Sequence, residues 1–409
     1  MKPQPSRALL GSLGILLPLA LLLPFPIASA EGGATFVVDT TVDGVDIFPG
    51  DTVCATAEGT CTLRAAVMEA NALPSADRIQ LGPWVHYLSI DGLNEEGAAT
   101  GDLDILDDLE FVGFGMNSTL IEAGGEAFGD RAVHVHPEVV FRMTGVSVAN
   151  ARIGAGANGA GLRNDGGDVE ITDASFQYNQ AHDGAGLMNV GRMVIRRTLI
   201  WGNEATDSGA GIRNDSSLEI YDSTIGGNQA VGPGGGIQNH GTLDLWNSTL
   251  STNTATNRAA AIYNGYPLVG GTVRLRVNSS TIFANNVNPD GTEFPSTGGI
   301  YTEPGSPVLI SNTILSGNGV NYSYANCWGE ITSGGHNLLG VSSDCVILGD
   351  TTGNLHDIDE PGLQYLMGEG APTHALLPGS PAIDAGKPAP AGGGETDCPA
   401  ADQRWVPRP

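Results

Sequence analysis

The sequence predicts an all-β protein: a right-handed, single-stranded parallel β-helix with coils of about 25 residues and an N-terminal cap containing a short helix. Three observations predict it. A six-residue motif returns at a constant step, period-two apolar alternation follows each copy, and no amphipathic helix separates the strands as an ordinary parallel sheet requires.

The motif runs Gly159-Ala160-Gly161-Leu162-Arg163-Asn164 and returns as Gly184 to Asn189, Gly209 to Asn214, Gly234 to Asn239 and, with alanines, Ala259 to Asn264. The alternating pairs that follow are Val169/Ile171, Met193/Ile195, Leu218/Ile220, Leu243/Leu245, Leu275/Val277 and Val308/Ile310. A third short segment closes each unit on Asn179, Asn203, Asn228, Asn253, Asn285 or Asn318, so each period supplies about three strands. One such unit cannot bury its own apolar face. Stacked coils can, with strands pairing at ~4.8 Å and equivalent side chains forming ladders. The Leu162, Leu187, Ile212, Ile237, Ile262 column becomes interior, and the Asn column beginning at Asn164 lies at a turn where amides bond up the stack. Leucine-rich repeats, propeller blades and calcium-binding nonapeptides all need spacings that do not occur here.

Composition agrees. Gly contributes 59 residues, aromatics 6% and charged residues 15%, which suits many tight turns and few helices. Residues 1–30 read as a secretory signal, with Lys2 and Arg7, an apolar run from Leu9 to Leu23, and Ala28-Ser29-Ala30 before Glu31. Losing Lys2 and Arg7 takes the formal charge from −27 to −29 and leaves Lys387 as the one lysine, so nucleic acid is excluded as a partner. No second apolar stretch reaches membrane length, so the mature chain has no membrane span. In an exported chain the five cysteines are expected to be mostly oxidised, with Cys54–Cys61 and Cys327–Cys345 as local bridges and Cys398 left over.

An open solenoid end exposes unpaired backbone and needs a cap. Cys61 to Ala72 reads as a short helix with Leu63, Ala66, Val67 and Ala70 on one side and Pro74 beyond it. Strands flank it at Phe36-Val37-Val38 and Ile79-Gln80-Leu81. The stretch Phe36 to Thr40, Cys54, Cys61-Thr62-Leu63-Arg64-Ala65-Ala66 and Glu69-Ala70-Asn71-Ala72 resembles the CSLREA domain of bacterial exported β-helix proteins, with Thr62 for Ser and Ala65 for Glu. Pro372-Thr373-His374 through Gly386, Asp402-Gln403-Arg404 and Gly335-His336-Asn337-Leu338 resemble the choice-of-anchor Q domain. The resemblance implies a pectin-lyase-like β-helix, secreted or at the cell surface, whose biochemical role is generally unassigned. Relatives usually continue into a further Cys-containing strand. Trp405 replaces a Gly of that pattern and the sequence stops at Pro409, so a shortened protein with an unpaired Cys398 is expected. The expected divisions are 1–30, signal peptide; 31–125, cap and first strands; 126–325, repeats; and 326–409, end segment.

Chemistry is harder to find. A lyase of this fold needs an Arg or Lys base beside calcium-binding acids, and a hydrolase needs grouped carboxylates. The run Asp102, Asp104, Asp107 and Asp108 alternates with Leu103, Ile105, Leu106 and Leu109 and reads as an amphipathic strand and turn. Asp173, Arg197, Asp222 and Asn247 occupy matching places and read as a surface ladder. Asn239-His240-Gly241 superficially resembles a hydrolase motif, but without companion Asp pairs His240 reads as a turn residue. His134 and His136 alternate before Pro137, yet a metal site has no evident third ligand. No cofactor is expected, calcium being the one an acidic chain leaves open.

A binding surface is better supported. The outward column of the second strand reads Thr172, Arg196, Tyr221, Trp246, Asn278, with Glu219 and Asp244 two residues before the aromatics. Arg196, Glu219, Tyr221, Asp244 and Trp246 form the candidate glycan face, where rings stack on sugars and charged groups bond hydroxyls. Loops near Tyr263 to Thr272 and Asn286 to Thr297 are expected to wall it. The sequence therefore reads as an extracellular or cell-surface interaction protein with a polysaccharide or surface glycan as partner; the alternative is a polysaccharide lyase or glycoside hydrolase.

Overall fold

The structure, a computed structural model, describes residues 32–93, 95–124, 129–154, 156–268, 271–289, 295–321, 323–341, 344–388 and 396–408. The expected leader lies outside them. One coil shows the plan: Leu162–Asn164, Asp168–Thr172, Ser175–Gln177 and Gln180–Ala181 are consecutive strands. Each pairs in parallel with its equivalent on the next coil. The chain thus builds four sheets, numbered here in that order and parallel except where Gly319–Val320 of the fourth meets Ser323–Tyr324 antiparallel, and the long strand Cys327–Gly334 pairs into both the first and the second. The two-residue fourth strand is too short to carry an alternation signal, so the sequence led to three. Parallel crossovers wind right-handed, and the solenoid is a right-handed β-helix.

The interior is a set of apolar ladders. Leu162, Leu187, Ile212, Ile237 and Ile262 lie in register and are wholly buried. The column continues through Val133 and Leu103 on one side and Ile300 and Cys327 on the other. Full burial of each such side chain stabilises by about 1.5–3 kcal/mol, which a lone coil could not collect.

Close coil contact explains the Gly-Ala-Gly run. A Cβ at Gly186 or Gly211 would meet the carbonyl oxygen of the next coil's Gly211 or Gly236 at 2.5 Å. Between the second and third sheets the chain turns on one left-handed residue per coil. Asp173, Arg197, Asp222, Asn247, Ser279 and Asn312 all have φ between 48° and 52°. That conformation costs a non-glycine residue roughly 1–2 kcal/mol. Side-chain bonds up the column offset part of it: Arg197 Nε lies 2.6 Å from Asp173 Oδ1, and Asn247 Nδ2 donates to Asp222 Oδ1 at 2.6 Å. The expected surface ladder is thus also the corner of the coil.

Two buried asparagine ladders clamp the turns. In one, Asn164, Asn189, Asn214 and Asn239 each donate through Nδ2 to Oδ1 of the next member, ending on Asn264, at 2.8–2.9 Å. The other runs from Asn179 through Asn203, Asn228, Asn253 and Asn285 to Asn318.

The cap helix is Leu63–Ala72. Thr62 caps it, accepting from Ala65 N and donating to Gly44 O. Leu63, Ala66, Val67 and Ala70 join the same apolar cluster as the coils. Arg64 is the polar anchor: it pairs with Asp43 at 2.8 Å, both side chains fully buried, and donates to the carbonyls of Ala98, Gly101 and Asp102. Asn71 bonds Asp104 O and receives Leu106 N. The acidic run beside it departs from an amphipathic strand. Leu103–Ile105 is covered on both faces and Asp104 is wholly buried, because His134, His136 and the stretch at Ala98 close over the side that would otherwise meet water.

Cys54–Cys61 and Cys327–Cys345 are bridged and Cys398 is a free thiol. Near the other end, irregular chain crosses the third sheet and its corner. Thr224 donates to Pro372 O, His374 Nε2 lies 2.8 Å from Ser251 Oγ, and Gln403 bonds Ser223 O and Thr249. Among the described residues, no helix is long and apolar enough to cross a membrane.

Candidate functional site

The second sheet turns alternate residues inward to the core and outward, so its outer face is three columns of side chains. The middle column begins Arg78, Glu110, Arg142, Glu170 and continues Val194, Glu219, Asp244, Arg276. Beside it stand Asp168, Arg192, Ser217, Thr242 and Arg274 on one edge, and Thr172, Arg196, Tyr221, Trp246 and Asn278 on the other.

All five candidate glycan-face residues meet here. Arg196, Tyr221 and Trp246 are register neighbours on successive strands, and Glu219 stands next to Asp244. The Arg196 guanidinium lies 4.2 Å above the Tyr221 ring, and Tyr221 OH donates to Glu219 Oε2 at 2.8 Å. Burial, with Glu219 as hydrogen-bond acceptor, pushes the Tyr221 hydroxyl up to about 12, so it stays a neutral donor. Arg192 bridges Asp168 at 2.8 Å and Glu219 at 3.3 Å, while Arg274 forks onto Asp244 at 2.7 and 3.0 Å. The site's long side chains are therefore pre-positioned by ion pairs, and neither Arg192 nor Arg274 was singled out in the sequence. Their signal was the Asp168/Arg192 and Asp244/Arg274 alternation, legible once the register is known.

Charge on this face differs from the rest of the molecule. Arg78, Arg142, Arg192, Arg196, Arg274 and Arg276 stand against Glu110, Asp168, Glu170, Glu219 and Asp244, on a chain whose formal charge is −27. The face is nearly balanced where its surroundings repel anions.

The walls are partly as expected. Gly265 to Leu268 lies between the first and second sheets, with Tyr266 O 2.8 Å from His240 Nδ1, which makes His240 a turn residue. The second expected wall is different. Asn286–Val287 belongs to the fourth sheet and Thr297 precedes the first, so that loop's described ends lie at another corner. Its place is taken by the irregular chain near Trp405, whose ring lies 5.7 Å from the Arg197 guanidinium, and by Arg408, bonded to Asn247 Oδ1 at 2.9 Å. Burial, with Asp402 nearby, holds the Asp222 carboxyl above its usual range despite the bond from Asn247 and the charge of Arg197.

No protein-family model matches the chain, and none of the curated proteins matches it. A crystal structure of pectate lyase Pel9A is similar at 12% identity, over 80% of each chain, with a TM-score of 0.34. A likeness at that level assigns no role to any residue.

Proposed function

We propose that the protein is an extracellular or cell-surface interaction protein that binds an extended polysaccharide along the outer face of the second sheet. The observation that carries this reading is Tyr221 beside Trp246 in register, framed by Arg196 and by Glu219 and Asp244, which pair with Arg192 and Arg274. Two aromatic rings one strand apart, Tyr221 with the Arg196 guanidinium over one of its faces, offer successive contacts to a linear chain of sugar rings, and the fixed carboxylates and guanidinium supply hydroxyl partners. Near-balanced charge favours neutral glycans over highly charged ones. The two disulfides suit an oxidising compartment. The resemblance to CSLREA and choice-of-anchor Q proteins is in keeping with export. The test is calorimetric titration with neutral and uronate oligosaccharides, with product release followed in parallel. Binding without cleavage that weakens about tenfold in Trp246→Ala supports the reading. Equal affinity in that variant rejects this face.

A further inference from the structure

The two histidines that the sequence leaves without a third ligand acquire one from the preceding coil. Asp104 pairs in register with His134 across the first sheet, and His136 follows two residues on. Asp104 Oδ1 lies 3.1 Å from His134 Nδ1 and 2.8 Å from His136 Nε2. The ligand atoms all lie within 4.8 Å of one another. A tetrahedral zinc ion with bonds of ~2.0–2.1 Å spaces its donors by roughly 3.3 Å, so the two gaps to Asp104 need to open only slightly.

The surroundings point the same way. The other carboxylate oxygen of Asp104 is held by Ala98 N at 3.3 Å, which fixes the group with Oδ1 toward the two rings. His134 Nε2 lies 3.0 Å from Asp165 Oδ2, and Asp165 is itself held by Arg163 at 2.8 Å. A carboxylate accepting from the far nitrogen of an imidazole is the arrangement that sets a metal-binding histidine's tautomer, leaving Nδ1 to coordinate. Glu96 Oε2 stands 3.7 Å from His136 Nε2 on a mostly exposed side chain, within reach of a fourth position that water can also fill.

We propose that Asp104, His134 and His136 bind a divalent first-row transition metal, zinc fitting best, with Asp165 as a positioning residue for His134. Two imidazoles with one carboxylate suit such ions, whereas calcium takes six to eight oxygens. The ion would tie together two coils beside the cap, joining residues 30 apart in sequence.

The experiment uses the full, untagged chain stripped with a chelator. It is titrated calorimetrically with zinc chloride and, separately, with cobalt(II) while ligand-field absorption is followed. One saturable equivalent, a raised melting temperature with zinc and visible cobalt bands are expected. His136→Ala should abolish the tight equivalent, and Asp165→Asn should weaken it on the order of 10- to 100-fold. His182→Ala, in a separate His182, Asp183, Asp207 group, should leave it unchanged. No saturable zinc binding by the wild-type chain overturns the proposal. So does undiminished affinity in both His136→Ala and Asp165→Asn, and so does loss confined to His182→Ala.

Discussion

Asn214 and Asn239 are 25 residues apart in sequence, yet the Nδ2 of the first donates to the Oδ1 of the second at 2.8 Å inside the turn of neighbouring coils. The same Asn214 amide also reaches Thr242 O at 3.1 Å, and its own oxygen receives Asn189 Nδ2 at 2.8 Å. Replacing it with Ala takes one bond from a buried acceptor, Asn239 Oδ1, and one from a buried donor, Asn189 Nδ2, leaving them only Gly241 N and Ser217 O. Asn214→Ala is expected to lower unfolding free energy by about 1–3 kcal/mol in urea titrations. Asn214→Asp, which keeps the volume but cannot donate, should cost at least as much; a neutral effect of both would remove the ladder from the account.

Coil spacing gives a second prediction. Gly211 has no space for a side chain, since a Cβ would sit 2.5 Å from Gly236 O and 3.0 Å from Asn228 Nδ2. A Gly→Ala change at a roomy position ordinarily stabilises a protein by restricting its unfolded chain. Here it should instead destabilise by about 1–3 kcal/mol, as overpacking does. An increase in the urea midpoint would mean that the coils do not approach so closely.

The cap depends on Arg64. Its partner Asp43 also accepts Ser89 N at 2.7 Å and Ile90 N at 3.0 Å, so both charges belong to a buried network. Arg64→Ala leaves that carboxylate without its cation and should cost on the order of 3–5 kcal/mol. Native-state hydrogen exchange should then show protection lost first in Leu63–Ala72 and the adjoining strands. Uniform loss along all coils would contradict a separate capping role.

A pH effect follows from Asp183. Burial pushes this carboxyl up, but the bonds from Ser208 and the guanidinium of Arg213 outweigh it and hold the group below its usual range, with His182 also adjacent. A depressed folded-state value means that its stabilisation is complete above the unfolded value near ~3.9 and fades as pH falls through the folded one. Stability measured down from pH 5 should therefore decline. In Asp183→Asn the neutral-pH stability should be lower and that part of the decline absent. An unchanged acid limb in the variant would show that other carboxylates account for it.

The coils were legible because their residues repeat. Leu187 and Ile212 announce one ladder by a constant step, and the helix around Leu63 announces itself by its apolar spacing. What escaped the sequence depends on contacts without a period. Asp104 meets His134 where coils near the cap have unequal lengths, so no repeat aligns them. Gln403 and His374 reach the third sheet from irregular chain, and nothing local to them specifies a partner. Arg192 and Arg274 were visible as residues, but their grip on Glu219 and Asp244 needs the cross-strand register. The Asp102 to Asp108 run misled because alternation implies a wet face, and His134, His136 and the stretch at Ala98 make it dry at Asp104.

A crystal soaked with a neutral linear oligosaccharide measures the binding proposal most directly. Ordered sugar rings lying across Trp246 and Tyr221, with hydroxyls bonded to Arg196, Glu219 or Asp244, are the predicted result. Rings ordered on another face, at a concentration that saturates binding in solution, would contradict it.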